Sequence, residues 1–176
     1  MFQNFDLGIF LLAVLPVLLA ITVHEAAHGY AARHYGDRTA EMMGRLTLNP
    51  IKHIDPVGTI LVPALMFMFT PFLFGWAKPV PINTRNFKDT RMGMRMVAIA
   101  GPLSNLVMCF GWALAMVASQ WVPESFQEAM QTMSRYGIII NAVLFVLNML
   151  PILPLDGGRF VDTFLPAKAS IKKKKI

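Results

Sequence analysis

The sequence predicts an all-α membrane protein: a three-helix transmembrane core with a re-entrant apolar segment and a short β-like edge segment. Two observations carry the fold class. The chain of 176 residues is 55% hydrophobic with a mean hydropathy of +0.52, more apolar surface than a soluble domain of this size can bury. Its charged residues, 15% of the chain, are gathered between apolar runs, so that residues 7–23, 96–122 and 137–153 contain no Lys, Arg, Asp or Glu. Each run spans, or nearly spans, a hydrocarbon core of ~30 Å as a helix. With no internal repeat and no long linker, residues 1–176 read as one transmembrane domain.

The first helix is predicted over residues 7–34. A secretory signal is the competing reading, but no basic residue precedes the run and no A-x-A-like site follows it, so it is a retained helix. A basic polar loop runs through Asp55. Residues 57–74 are apolar enough to enter the bilayer, yet they carry Pro63 and Pro71 and follow Asp55-Pro56, and proline interrupts the helical hydrogen-bond ladder. After a basic loop over residues 75–95, a second helix is predicted over 96–121. A mildly acidic connection with Glu124 and Glu128 leads to a third helix over about 136–154, ending in NMLPILPLDGGR, and a basic tail over 166–176 closes in KKKKI.

Loop charge sets the topology. The loops after the first helix, after residues 57–74 and after the last helix are all basic, whereas the 121–136 connection has one Arg and two Glu. A fully spanning 57–74 would put two basic loops on opposite faces. A segment that dips in and returns puts all three on the cytoplasmic face, as the positive-inside rule requires. The prediction is a multi-pass cell-membrane protein. Its net charge of +6 would suggest nucleic acid in a soluble protein, but here the basic residues flank apolar spans and attract anionic lipid, so the expected partners include membrane lipid and no nucleic acid. The single cysteine, Cys109, lies within an apolar run and offers neither a disulfide nor a metal pair; it reads as a packing residue.

At the cytoplasmic end of the first helix stands His24-Glu25-Ala26-Ala27-His28. Residues i and i+4 share one helix face, so both imidazoles reach one ion, and zinc in catalytic sites takes such nitrogens and keeps a position open. Glu25, beside the pair, is free to act as general base and then general acid. Three ionisable side chains within five residues, inside an apolar boundary, are costly unless paired or metal-bound, which disfavours a merely structural reading. Candidates for a third ligand are His34, His53, Asp37, Asp55 and Asp156. Ten residues after His24, His34 is rotated off the ligand face; His53 and Asp55 fall in a loop expected to be exposed. Asp156 is better placed, because Gly157 and Gly158 permit a tight turn against another helix, and because it returns to the His24 side if residues 57–74 are re-entrant.

HEAAHG, GPLSN and NMLPILPLDGGR, in that order, with GRLTLNPIKHIDPVGT and GWAKPVPIN, resemble the site-2 protease family in its small form without PDZ or CBS domains. The resemblance runs from His24 to Arg159. It implies a three-helix core, zinc held by His24, His28 and Asp156, Glu25 as the catalytic residue, and cleavage of transmembrane protein or peptide substrates near the cytoplasmic face. It implies for Asn148 a hold on the substrate backbone or the developing oxyanion, a service a side-chain amide can perform. Asn105 in GPLSN is a further substrate contact or a packing residue. Residues 78–83, KPVPIN, resemble a clamp around Val80 that pairs with an unwound substrate strand; main-chain pairing tolerates varied sequence. A solvated connector is the plainer reading. Small family members usually continue past LDGGR with another apolar segment, which this sequence lacks.

Two other functions compete with proteolysis. A zinc-binding transporter should carry ionisable residues along several helices, and the second helix has none; a pseudoprotease should lack the base, and Glu25 is present. A soluble-type metalloprotease on one anchor lacks a long polar region to form its catalytic domain.

Overall fold

The structure is a computed structural model that describes residues 7–62, 65 and 76–165. Helix α1 spans Leu7–His34, the predicted bounds. It ends because Gly36 takes a left-handed φ of 109°, letting Gly36 N–H reach Arg33 O (3.0 Å) and Asp37 N–H reach Ala32 O (2.9 Å), a paired closure of the last turn. The chain then forms the short helix α2 (Thr39–Met42), a 3-10 turn (Pro50–Lys52), a π turn (Pro56–Leu61) capped by the Asp55 carboxylate, and a 3-10 turn (Thr84–Asn86). Two long helices follow, α3 (Thr90–Ala118, extended by a 3-10 turn to Trp121) and α4 (Glu124–Met149), and then the short α5 (Asp156–Asp162).

Among the described residues, three helices are long and apolar enough to cross a membrane: Gly8–His34, Thr90–Trp121 and Glu124–Met149. At 1.5 Å per residue each exceeds the ~30 Å hydrocarbon core. Helix α3 is central and packs on α1, α4 and α5, and α1 also meets α4. Small residues line these contacts: Ala20 and Ala26 on α1, Ala98 and Gly101 on α3, Ser134 and Gly137 on α4 are buried. A Cβ on Gly137 would lie 2.3 Å from the Trp112 ring, so α3 and α4 approach only because that position has none. Outward positions such as Val107, Phe110, Leu114 and Val146 are exposed, apolar and suited to lipid.

Three predicted boundaries shift. Helix α3 starts six residues before the expected Met96, because Asp89 caps it by accepting from Met92 N (3.0 Å), and the basic loop hid that cap. Helix α4 starts at Glu124 and ends at Met149: the acidic connection is rich in helix formers, and Pro151 and Pro154 stop the other end. The expected β-like edge also changes character. Among the described residues there is no strand, and residues 78–83 bond to side chains and a loop carbonyl rather than to a neighbouring strand.

The re-entrant segment expected over residues 57–74 lies largely outside the described residues, as does the tail over 166–176. What is described constrains its ends. His28 meets Val97 near the start of α3 while His24 meets Asn105 further on, so α1 and α3 run antiparallel and the chain between them leaves and returns at one end of the bundle.

Candidate metal centre

Three elements converge on one point. His24 and His28 lie one turn apart on α1, with their Nε2 atoms 3.0 Å apart. Asp156, the first residue of α5, brings Oδ2 to 3.2 Å from His24 Nε2 and 3.1 Å from His28 Nε2. All three are buried. The close approach depends on glycine. A Cβ on Gly101 would lie 2.4 Å from His28 Nε2 and 2.7 Å from His24 Cε1, so α3 must be bare there to admit the rings. Gly157 and Gly158 do the same for Asp156, because a Cβ on either would sit 2.5 Å from backbone of the 149–152 turn.

The protons on this trio decide what it can hold. His28 Nδ1 lies 2.7 Å from Val97 O and His24 Nδ1 lies 2.6 Å from Asn105 Oδ1. Both acceptors require an N–H, which leaves the Nε2 lone pairs of the neutral rings directed inward. Asp156 presents its carboxylate to both rings. Its Oδ2 lies within ion-pair reach of both rings, yet no donor is directed at it. Three lone-pair atoms thus face one another out of water, and a single proton could bridge only one pair. A metal cation satisfies all three. The 3.0–3.2 Å edges of the triangle are close to the ~3.3 Å expected between ligands of a tetrahedral zinc with bonds of ~2.0–2.1 Å. Among the described residues, His24, His28 and Asp156 form the one group of side chains with this metal-holding geometry.

Known proteins agree. The chain is 40% identical over 169 residues to the Bacillus subtilis protein named "Putative zinc metalloprotease YwhC", a match covering 94% of this chain and 74% of the relative. The chain belongs to this zinc metalloprotease family. It is also 28% identical over 152 residues to "Putative zinc metalloprotease Rip2" of Mycolicibacterium smegmatis, spanning 85% of this chain and 56% of that one. To "Putative zinc metalloprotease MJ0611" of Methanocaldococcus jannaschii it is 26% identical over 160 residues, 90% of this chain and 73% of that one. No family model and no solved structure matches. Zinc is the cofactor that this family and this donor set imply, with His24, His28 and Asp156 as the residues that fit it.

In this metalloprotease the ligand triangle forms one wall of a cavity of about 160 Å³, which Glu25, Val80, Ile82, Asn148 and Arg159 also line. Glu25 stands outside the ligand group, its Oε2 accepting from Val80 N–H (2.8 Å). Asn148 spends one amide N–H on Leu144 O (3.0 Å), which leaves the other for a ligand of the cavity. Asn105 does not line the cavity; it is fully buried behind His24.

The remaining third-ligand candidates have other work. Asp37 is fully buried and accepts from Asn83 N (2.7 Å), Asn86 Nδ2 (2.8 Å) and both donors of Thr39; burial pushes its carboxyl up, and these bonds outweigh it and hold it below the usual range. Asp55 caps the π turn, and the His34 ring stacks edge-on against Tyr35. His53, expected to be exposed, is 2% exposed, because Nε2 bonds to Thr47 O and its backbone carbonyl holds Lys78 N–H. Sequence reasoning missed Val97 and Asn141. A backbone carbonyl has no sequence signature. Asn141 does have one, an amide inside an otherwise apolar helix.

Proposed function

We propose that the chain is a site-2-protease-type endopeptidase that cleaves transmembrane segments of membrane protein substrates. The observation that carries this reading is that the ligand-bearing turn of α1 lies within a helix long and apolar enough to cross the membrane, which supports peptide hydrolysis at membrane depth. Residues 1–176 act as one catalytic domain in a multi-pass cell-membrane protein, with the cavity toward the cytoplasmic face, in contact with substrate and lipid.

His24, His28 and Asp156 would hold the zinc. When bound, it supplies Lewis-acid polarisation to water and to the scissile carbonyl. Glu25 takes the proton that the attacking water loses as its oxygen bonds to the carbonyl carbon, and delivers it to the amine as the C–N bond breaks. Val80 N–H holds the Glu25 carboxylate in place for both transfers. The unspent N–H of Asn148 steadies the substrate backbone or the oxygen on which charge develops. Val80 and Ile82 form the opposite wall, against which an unwound substrate lies.

Exchanging Glu25 separates this reading from metal binding without proteolysis. Glu25→Gln should keep about one zinc, since the ligands remain, while cleavage of a transmembrane peptide falls by ~10²–10⁴-fold. Asp156→Asn should lose zinc and activity together, because a neutral amide replaces an anionic ligand. Cleavage by the Glu25→Gln protein at the unmodified rate would overturn the protease reading, and metal loss in it would make Glu25 a ligand.

A further inference from the structure

His24 and His28 are held in the same tautomer by different kinds of acceptor. We propose that Asn141, which touches neither cavity nor ligand position, is a positioning residue that fixes the tautomer of His24 through Asn105. This rests on the metal reading above. A histidine ligates through Nε2 only when its proton is on Nδ1, and the group facing Nδ1 decides that.

For His28 the facing group is the Val97 carbonyl, which only accepts, so its tautomer is fixed by backbone. For His24 it is an amide with two ends. Turned around, Asn105 would aim its NH2 at Nδ1 and move the ring proton to Nε2, where it blocks ligation. The far end of the amide decides between the two. Asn105 Nδ2 donates to Ala20 O at 3.3 Å, a carbonyl that favours the same orientation, and to Asn141 Oδ1 at the shorter distance of 2.9 Å. Asn141 in turn lies 2.8 Å from Gly137 O, one turn back along α4. That carbonyl can only accept, so the Asn141 nitrogen faces it and the Asn141 oxygen faces Asn105. The Asn105 nitrogen must then face Asn141, and its oxygen must face His24. Each step is forced by the one before. Both asparagines are 0% exposed, and both lie within membrane-length helices, where a reversed amide would set acceptor against acceptor with no water to intervene.

An asparagine pair that merely ties α3 to α4 would hold helices together without regard to ring protons. The test therefore reads the protons. In the full-length protein freed of zinc, 15N NMR of labelled histidine reports which ring nitrogen is protonated, and chelator competition gives zinc affinity. In the unmodified protein both rings should be protonated at Nδ1. In Asn141→Leu, or Asn141→Ala if the first does not fold, His24 should acquire an Nε2-protonated fraction while His28 stays as it was, and zinc affinity should fall by ~10–100-fold. Adding Asn105→Asp should restore affinity to the Asn141 variant, because a carboxylate accepts from Nδ1 through either oxygen. An Nε2-protonated His24 in the unmodified protein overturns the proposal. So does an Asn141 variant whose His24 and zinc affinity do not change, or in which both histidines shift together. An unmodified protein that binds no zinc at all would instead sink the metal reading.

Discussion

The two walls of the cavity are built on opposite terms. The ligand wall is helical, and its side chains are fixed by bonds between helices: His24 to Asn105, His28 to Val97, Asp156 by the glycine-lined approach of α5. The facing wall, residues 78–83, has no regular structure and is pinned at separate backbone atoms. Lys78 N–H bonds to His53 O (2.9 Å), Lys78 O to Arg45 Nη2 (2.9 Å), Val80 N–H to Glu25 and Asn83 N–H to Asp37. Pro79 and Pro81 offer no N–H at all. A metal site tolerates little displacement, which favours packed helices. If an unwound substrate lies against this wall as proposed, it needs a fixed path but few committed donors, and an alternation of proline with pinned residues provides it.

The contrast breaks most sharply at Gly101, where the ligand wall has no spare room. Gly101→Ala places a methyl 2.4 Å from His28 Nε2, so a ring must move. Alanine is otherwise the better helix former by ~1 kcal/mol, so the fold should survive or gain. Zinc affinity and activity should both fall about 100-fold or more, the cost of roughly 1 Å of misplacement. Metal analysis beside a thermal unfolding curve checks it. An alanine variant with full zinc would mean that the ligand wall yields as readily as the other.

The ligand wall was also the more legible in sequence. The i, i+4 pair, the run lengths and the glycines after Asp156 are local facts, and α1 has the predicted bounds. Third-ligand choice was narrowed by parity of the spans and loop charge. What escaped was set by tertiary contact. Asn105 reads equally as a substrate contact or a packing residue because an amide near a catalytic motif gives no hint of which way it faces, and only packing turns it behind His24. His53 looked exposed because nothing local shows that its carbonyl receives Lys78. The starts of α3 and α4 were hidden by charged residues, which mark a helix end outside the apolar core as readily as a loop.

Asp37 anchors the far end of the irregular wall, and its removal tests how far that wall depends on single pins. Asp37→Asn puts an NH2 among donors in a fully buried position, which should cost ~1–3 kcal/mol at neutral pH. The folded carboxyl titrates below its unfolded value of ~3.9, so its stabilisation is fully present above that pH and is lost as pH falls from there through the lower folded value. The gap in unfolding midpoint between the two proteins should therefore be widest near pH 7 and narrow below about pH 4. A gap that does not change with pH would show that Asp37 acts by shape and not by charge.

The smallest expected effect isolates one proton on the irregular wall. Val80→Pro removes the N–H that holds Glu25 and leaves the ligand wall intact, so zinc content should not change. Its neighbours are already prolines, so the added restriction of the backbone is local. A hydrogen bond to a charged group is worth ~1.5–3 kcal/mol, but in the proposed mechanism Glu25 remains the proton acceptor without it. Turnover should accordingly fall only about tenfold, well short of the loss in Glu25→Gln. Val80→Ala keeps the N–H and trims the side chain, and should turn over near the unmodified rate. If the alanine variant falls as far as the proline one, the side chain of Val80 matters to this wall and its backbone does not. If proline leaves turnover unchanged, Glu25 is positioned by the ligand wall alone, and the two walls are less divided in their work than their construction implies.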